Sequence, residues 1–231
     1  MKDKIVYVPM SADGLHHGHL NIINVARDLG EVTVGLFEDS LIASYKRVPS
    51  ISFEKRKLVI ENIKGVKNIV AQNLNNFDVI LRELKPDYVV HGDDWKIGIQ
   101  SKMRQKVIDV IEEWGGKLIE PEYTKGISST ELIENSKKNG VTSDSRRKML
   151  KRLLNAKSMV RILEAHNGLT GLIVEKTKIG NKQFDGMWLS SLTHSASKGK
   201  PDIQYVDITT IGQTLNEIFD VTTKPMIVDA D

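Results

Sequence analysis

Residues 4–19 read KIVYVPMSADGLHHGH, and this stretch decides the fold. The first seven residues form a β-rich apolar run, as expected of a strand in a covered sheet. Asp13, His16, Gly18 and His19 follow at once and open the amphipathic pattern LNIINVARDLG. The HxGH spacing predicts two imidazoles about one helical turn apart on one face, beside backbone N–H groups that favour an anion. Two such rings can donate hydrogen bonds to phosphoryl oxygens whose charge shifts during transfer. Gly18 leaves room for a phosphate to approach closely, while His17 has no demanded role. Taken alone, the same residues are equally compatible with capped or solvated histidines at a strand end.

The apolar runs EVTVGLF, VKNIVAQ, DYVVHGD and KLIEPEY alternate with helical stretches. In KMRQKVIDVIEEWGG, Val107, Ile108, Val110, Ile111 and Trp114 fall at helical spacing, and Gly115 and Gly116 supply the stop. Strands alternating with helices predict an α/β fold with a Rossmann-like parallel sheet. Ligands of such sheets bind at the carboxyl ends of the strands.

Asn135 to Met149 is polar and reads as a boundary entering a short helix. Beyond it a helix is expected over Lys148 to His166, then strands at GLIVEKT (171–177) and FDGMWLS (184–190). A polar loop, THSASKGKPDIQY (193–205), a helix around IGQTLNEIF (211–219) and a last strand, PMIVDAD (225–231), complete the pattern. So few strands cannot close a parallel barrel, and the second half is expected to be an incomplete barrel segment. The expected domains are 1–138, a linker at 139–150, and 151–231.

Composition narrows the function. A net charge of +3 over 231 residues does not argue for nucleic acid, and basic clusters such as Arg146, Arg147 and Lys148 read as solvated helix faces. The absence of cysteine excludes disulfides and thiolate metal sites. No apolar run spans a bilayer and MKDKIVYVPM is no signal peptide, so a cytoplasmic protein without membrane partners is expected. A homo-oligomer is also expected.

Three further features lie near predicted strand ends. Lys46, Arg47 and Arg56 offer positive charge for a triphosphate, or are surface charges. GDDW (92–95) offers a carboxylate, Asp94, and an indole, Trp95, to a ribose and base, or is a turn with a packed Trp. GISSTEL (126–132) is a Gly-hinged loop entering a helix, where Gly126, Ile127, Ser128, Ser129 and Thr130 cap the helix or bind phosphates. In this order, DxxHxGH, KR…EKRK, HGDDW and GISST resemble the glycerol-3-phosphate cytidylyltransferase family of HxGH nucleotidyltransferases, over roughly Lys4 to Lys138. The resemblance implies that His16 and His19 stabilise the transition state at the α-phosphate. It further implies that Lys46 and Arg56 hold the triphosphate or acceptor, that Asp94 and Trp95 contact cytidine, and that Asp13, Gly18 and 126–130 complete the nucleotide site. CTP would be a substrate and Mg²⁺ its escort. Two departures, YTKGISS where the family has RTxGIST and MSADGLHHGH where it has a GTFD-like loop, border the acceptor side.

The second half has its own candidates. The loop ending at Asp202 reads as flexible padding or a functional loop. Asp229 and Asp231, on one face of a strand end, suit Mg²⁺ or are solvated acids. FDGMWLSSL, this loop and MIVDAD look like the start of a phosphoenolpyruvate mutase, in the isocitrate lyase superfamily of (β/α)₈ barrels. The resemblance implies a substrate pocket at Trp188, Ser190, Ser191 and Leu192, a closing residue at Asp202, and a Mg²⁺ shell anchored on Asp229 and Asp231. A mutase fused to an HxGH enzyme resembles the bifunctional proteins of phosphonate (fosfomycin) biosynthesis, which implies a phosphonate acceptor such as 2-hydroxyethylphosphonate. The alternatives are CMP transfer to glycerol 3-phosphate, adenylyl transfer to a flavin nucleotide, or a non-catalytic nucleotide-binding module scaffolding the mutase.

Overall fold

The computed structural model describes residues 4–73, 77–96, 101–122, 143–180 and 182–229. The chain divides into two compact units, Met1–Glu134 and Asn135–Asp231.

In the first unit five strands, β1 (Ile5–Met10), β2 (Glu31–Phe37), β3 (Val66–Gln72), β4 (Tyr88–Val90) and β5 (Lys117–Ile119), form one parallel sheet in the order β3-β2-β1-β4-β5. Alternation along β1 feeds two cores. Val6, Val8 and Met10 pack with Ile23 and Ala26 of α1 (His17–Leu29) and Ile60 of α3 (Phe53–Glu61). Tyr7 faces the other way, toward Phe77, Ile80 and Leu81 of α4 (Phe77–Leu84) and Val107, Val110 and Ile111 of α5 (Ser101–Glu112). Each fully buried aliphatic side chain contributes about 1.5–3 kcal/mol, so β1 is fixed from both faces. A short helix α2 (Asp39–Tyr45) follows β2. The chain leaves β1 for β2 and β3 on one side and returns to β4 and β5 on the other. The β1/β4 pair is therefore the topological switch point, where a crevice opens beyond the strand ends.

In the second unit β6 (Ile162–Glu164), β9 (Gly186–Leu189) and β10 (Met226–Val228) form a parallel sheet in the order β10-β9-β6. Met187 and Met226 pack with Val174 of α7 (Gly168–Lys176) and Ile218 of α9 (Ile208–Val221). Three expectations are corrected here. The helix expected over 148–166 is α6 (Ser143–Ala156), which ends before β6, so most of the expected linker is helical. GLIVEKT lies in a helix: Asn167 caps it by accepting from the N–H of Thr170, and the hydroxyl of Thr170 accepts from that of Asn167. That capping box outweighs the β-branched run that suggests a strand. The expected loop 193–205 begins as helix α8 (Ser191–Ser197), capped by Ser190. A two-stranded antiparallel hairpin, β7 (Lys178–Ile179) with β8 (Lys182–Gln183), follows α7.

Candidate functional site

The loop between β1 and α1 is shaped by two left-handed residues, Ala12 (φ 51°) and Gly14 (φ 78°). Between them Asp13 is buried. It accepts the N–H groups of Ser50 and Ile51 at 2.9 and 3.1 Å and pairs with Arg47 at 3.0 Å. The polar side chain of Asp13 thus ties the β1 loop to the segment before α3.

His16 is the N-cap of α1, and its Nδ1 accepts the N–H of Gly18 at 3.1 Å. Nδ1 of His19 accepts the N–H of His16 at 3.4 Å, which completes a capping box built from two histidines. An Nδ1 that accepts carries no proton, so each neutral ring has its proton on Nε2, free to donate. Burial, then the charge of His17, lowers the pKa of His16. Burial, then the charge of His16, lowers that of His19 to about 4, with smaller contributions from Lys46 and His91. Both rings are neutral donors at pH 7. No acidic residue occupies the first turn of α1, which leaves the positive helix end open to an anion.

Lys46 caps the C-terminus of α2 and is exposed, near enough to His19 for its charge to bear on it. Of the two readings of Arg56, the surface charge does not hold: it is 1% exposed. Its guanidinium donates to Asp39 at 2.7 Å and to the carbonyls of Ser11 and Ile51, so its partners are protein groups.

GDDW follows β4 as a 3₁₀ turn, Asp93–Lys96. Asp94 is exposed, 3.7 Å from Nδ1 of His91. Trp95 is packed in that turn: it is 2% exposed, stacks on His91 with centroids 3.9 Å apart, and donates Nε1–H to Glu120 at 2.8 Å. His91, Arg104 and Glu120 are additions to the expected set. The histidine of HGDDW is the signal for the first; nothing local in the sequence marks the pairing of Arg104 with Glu120. Gly126, Ile127, Ser128, Ser129 and Thr130 lie outside the described residues. His16 and His19 after β1 and His91 after β4 therefore gather at the switch point, beside a helix N-terminus, near enough for the charge of His91 to bear on His19.

In the second unit Ser190, Ser191 and Asp229 line one small cavity together with His194 and Ser195. The Ser191 hydroxyl donates to Asp229 at 3.3 Å, and His194 is hydrogen-bonded to Thr214 at 2.9 Å. Trp188, Leu192 and Asp202 are exposed and absent from this lining. Asp231 lies outside the described residues.

Among known proteins, the family described as Cytidylyltransferase-like matches residues 9–135, more than half of the chain. The family described as Phosphoenolpyruvate phosphomutase matches residues 150–231. Bifunctional protein HldE of Desulfatibacillum aliphaticivorans is 28% identical over 137 residues, 57% of this chain and 26% of its own length. Ethanolamine-phosphate cytidylyltransferase of Dictyostelium discoideum is 31% identical over 132 residues, 55% of this chain and 35% of its own. Phosphoenolpyruvate phosphomutase of Tetrahymena pyriformis is 34% identical over 100 residues, 43% of this chain and 32% of its own. The chain spans about a quarter to a third of the length of these relatives. Among the described residues no helix is long and apolar enough to cross a membrane.

Proposed function

The chain belongs to the cytidylyltransferase-like family, and we propose that it transfers CMP from CTP to a small phosphonate of the 2-hydroxyethylphosphonate kind, releasing pyrophosphate. The observation that carries this reading is the His16–His19 pair, two neutral rings with Nε2–H free at the N-terminus of α1. A phosphonate oxygen attacks the α-phosphorus of CTP. The bond from that phosphorus to the bridging oxygen breaks, and its electron pair leaves with pyrophosphate. Charge builds on the α-phosphoryl oxygens as this happens, and fixed donors aimed there need no reorganisation. His16 and His19 are the catalytic donors, and Lys46 supplies positive charge for the triphosphate tail. Arg56 supports the site from beneath, through Ser11 and Ile51. Asp94, with Trp95 behind His91, borders the nucleoside, and residues 126–130 are assigned to the phosphates.

The phosphonate acceptor is supported by the mutase match on the same chain, since a mutase forms carbon–phosphorus bonds. The transferase is placed in residues 1–138, with 151–231 as mutase-like barrel segment. Mg²⁺ fits the hard oxygens of a triphosphate, and in the second unit the carboxylate of Asp229 beside the hydroxyl of Ser191. Among the described residues no three His, Asp or Glu side chains converge on a metal position, so substrate oxygens would complete the shell. Bound Mg²⁺ would neutralise phosphoryl charge. We further place the protein in the cytoplasm as a homo-oligomer acting on small molecules.

The test is pyrophosphate release with CTP, UTP or ATP against 2-hydroxyethylphosphonate, glycerol 3-phosphate, ethanolamine phosphate and FMN. CTP with the phosphonate is expected to turn over fastest. Faster turnover with a phosphate ester overturns the acceptor, and ATP with FMN overturns the nucleotide. Absence of release in every combination returns the domain to a binding module.

A further inference from the structure

The second strand of the switch point carries histidine chemistry of the opposite sense. Nδ1 of His91 lies 2.8 Å from the carbonyl oxygen of Gly92, which can only accept. The proton of the neutral ring therefore sits on Nδ1, and Nε2 carries a lone pair. Among the described residues no hydrogen bond to that Nε2 is formed. Burial lowers the pKa of His91, so the ring stays neutral and the lone pair available.

The orientation of this ring is set from outside the crevice. His91 lies flat on Trp95, the planes 14° apart. Trp95 in turn hangs on the Glu120 carboxylate, which simultaneously takes Nε of Arg104 at 2.7 Å and a terminal guanidinium nitrogen at 2.9 Å. Arg104 first, and Trp95 after burial's opposing effect, hold the Glu120 carboxyl down at about 2, so it is ionised wherever the protein works. A bidentate, charge-assisted pair fixes an acceptor's direction better than a single bond. The indole cannot turn about its own axis without giving up the bond to Glu120, and the imidazole cannot tilt without leaving the indole face.

We propose that Glu120 is a positioning residue for the nucleotidyl site. Through Trp95 it fixes His91 with Nε2 presented as a hydrogen-bond acceptor for an N–H or O–H donor of the nucleoside. His16 and His19 donate to the phosphate, and His91 accepts from the nucleoside. One ring chemistry is thus used in two senses, set by whether Nδ1 meets an N–H or a carbonyl. The exocyclic amine of a cytosine and the 2′-hydroxyl of its ribose share the required chemistry.

The experiment uses the full chain and the variants Glu120→Gln, Trp95→Phe and His91→Phe. The phenyl rings keep the stack while removing the N–H of Trp95 or the acceptor of His91. Side-chain ¹⁵N spectra read the tautomer of His91, and steady-state kinetics read kcat and KM for CTP, UTP and 2′-deoxy-CTP. In the parent protein His91 should be the Nδ1–H tautomer. In Glu120→Gln and in Trp95→Phe its nitrogens should shift toward the averaged values of a mobile ring. KM for CTP should rise about tenfold, the scale of one lost hydrogen bond, with kcat changed less than about twofold. His91→Phe should give the same rise and should erase a preference for CTP over UTP if the amine is the donor, or over 2′-deoxy-CTP if the hydroxyl is. A fixed Nδ1–H tautomer in both Glu120→Gln and Trp95→Phe overturns the positioning role, as does a His91→Phe protein with parental KM and selectivity. The kinetic arm rests on the cytidylyl-transfer reading and the spectra do not. A chain inactive with every acceptor defeats that reading, and the tautomer measurement still decides for or against Glu120.

Discussion

His16 and His19 lie with ring centroids 4.1 Å apart, and each turns Nδ1 onto a backbone N–H of the same helical turn. The bonds that start α1 are thus the bonds that select the tautomer. Local folding and the hydrogen-bonding sense of the site are one event. Neither can be changed without the other, which shapes what substitution there will do.

Replacing His16 or His19 with Ala should lower kcat by about 10²-fold or more, the scale of a lost transition-state donor. CTP affinity, measured by calorimetry, should change far less. Loss of the N-cap at His16 should also cost about 1 kcal/mol of stability. Near-parental turnover in both variants would remove the pair from catalysis.

The depressed pKa of His19 has a consequence for stability. Unfolded histidine titrates near about 6.5, and folded His19 at about 4. Between these values the unfolded chain binds more protons, so stability is fully present above about pH 6.5 and is lost as pH falls toward 4. Thermal melts of the first unit should decline through this window, and His19→Asn should flatten the decline. An identical slope in the variant would assign it to other groups.

Sequence reading reached far into the first unit because β2 and β3 are short apolar runs with clean ends, and EVTVGLF and VKNIVAQ match Glu31–Phe37 and Val66–Gln72. It also reached the recognised families, since HxGH, HGDDW and MIVDAD are each contiguous runs. Alternatives stay open in the sequence where distant partners decide. Whether Arg56 is a surface charge or a triphosphate ligand turns on Asp39, 17 positions away, which takes its guanidinium. Whether Trp95 is a packed or an open indole turns on Glu120, 25 positions away. GLIVEKT fails as a strand for a nearer reason: the capping box at Asn167 and Thr170 lies upstream of that apolar run.

Arg56 gives a prediction of stability rather than of turnover alone. Its side chain is wholly buried, and its Asp39 partner is largely so. Removing one member of a buried pair costs about 3–5 kcal/mol, because the other is left without compensation. Arg56→Met should therefore lower the urea midpoint sharply. Lys55→Ala, an exposed neighbour, should stay within about 0.5 kcal/mol. A stable Arg56→Met protein with weakened CTP binding would restore Arg56 to direct contact with the triphosphate.

Arg146 makes the same case in the second unit. It belongs to the RRK run that reads as a solvated face, yet it is 5% exposed while Arg147 beside it is exposed. Its guanidinium donates to the carbonyls of Phe219 at 2.8 Å, of Lys224 at 2.9 Å and of Thr222, and lies over the Phe219 ring at 4.4 Å. The carbonyls of Phe219 and Thr222 sit at the end of α9, where the helix leaves acceptors without intrahelical donors, and that of Lys224 lies in the turn beyond. One planar fork thus caps α9 and ties α6 to the turn that leads into β10. A lysine, with a single compact ammonium, cannot span three carbonyls. Arg146→Ala should destabilise the second unit by about 3 kcal/mol or more, since each buried carbonyl left unmet costs about 1–3 kcal/mol. Arg146→Lys should recover only part of that, and Arg147→Ala should change little. Hydrogen exchange across residues 208–228, followed beside urea unfolding, reads the effect where it arises. Parental protection there in Arg146→Ala would show that α9 is held by its apolar face against Val174 and Met187 and that the cap is dispensable.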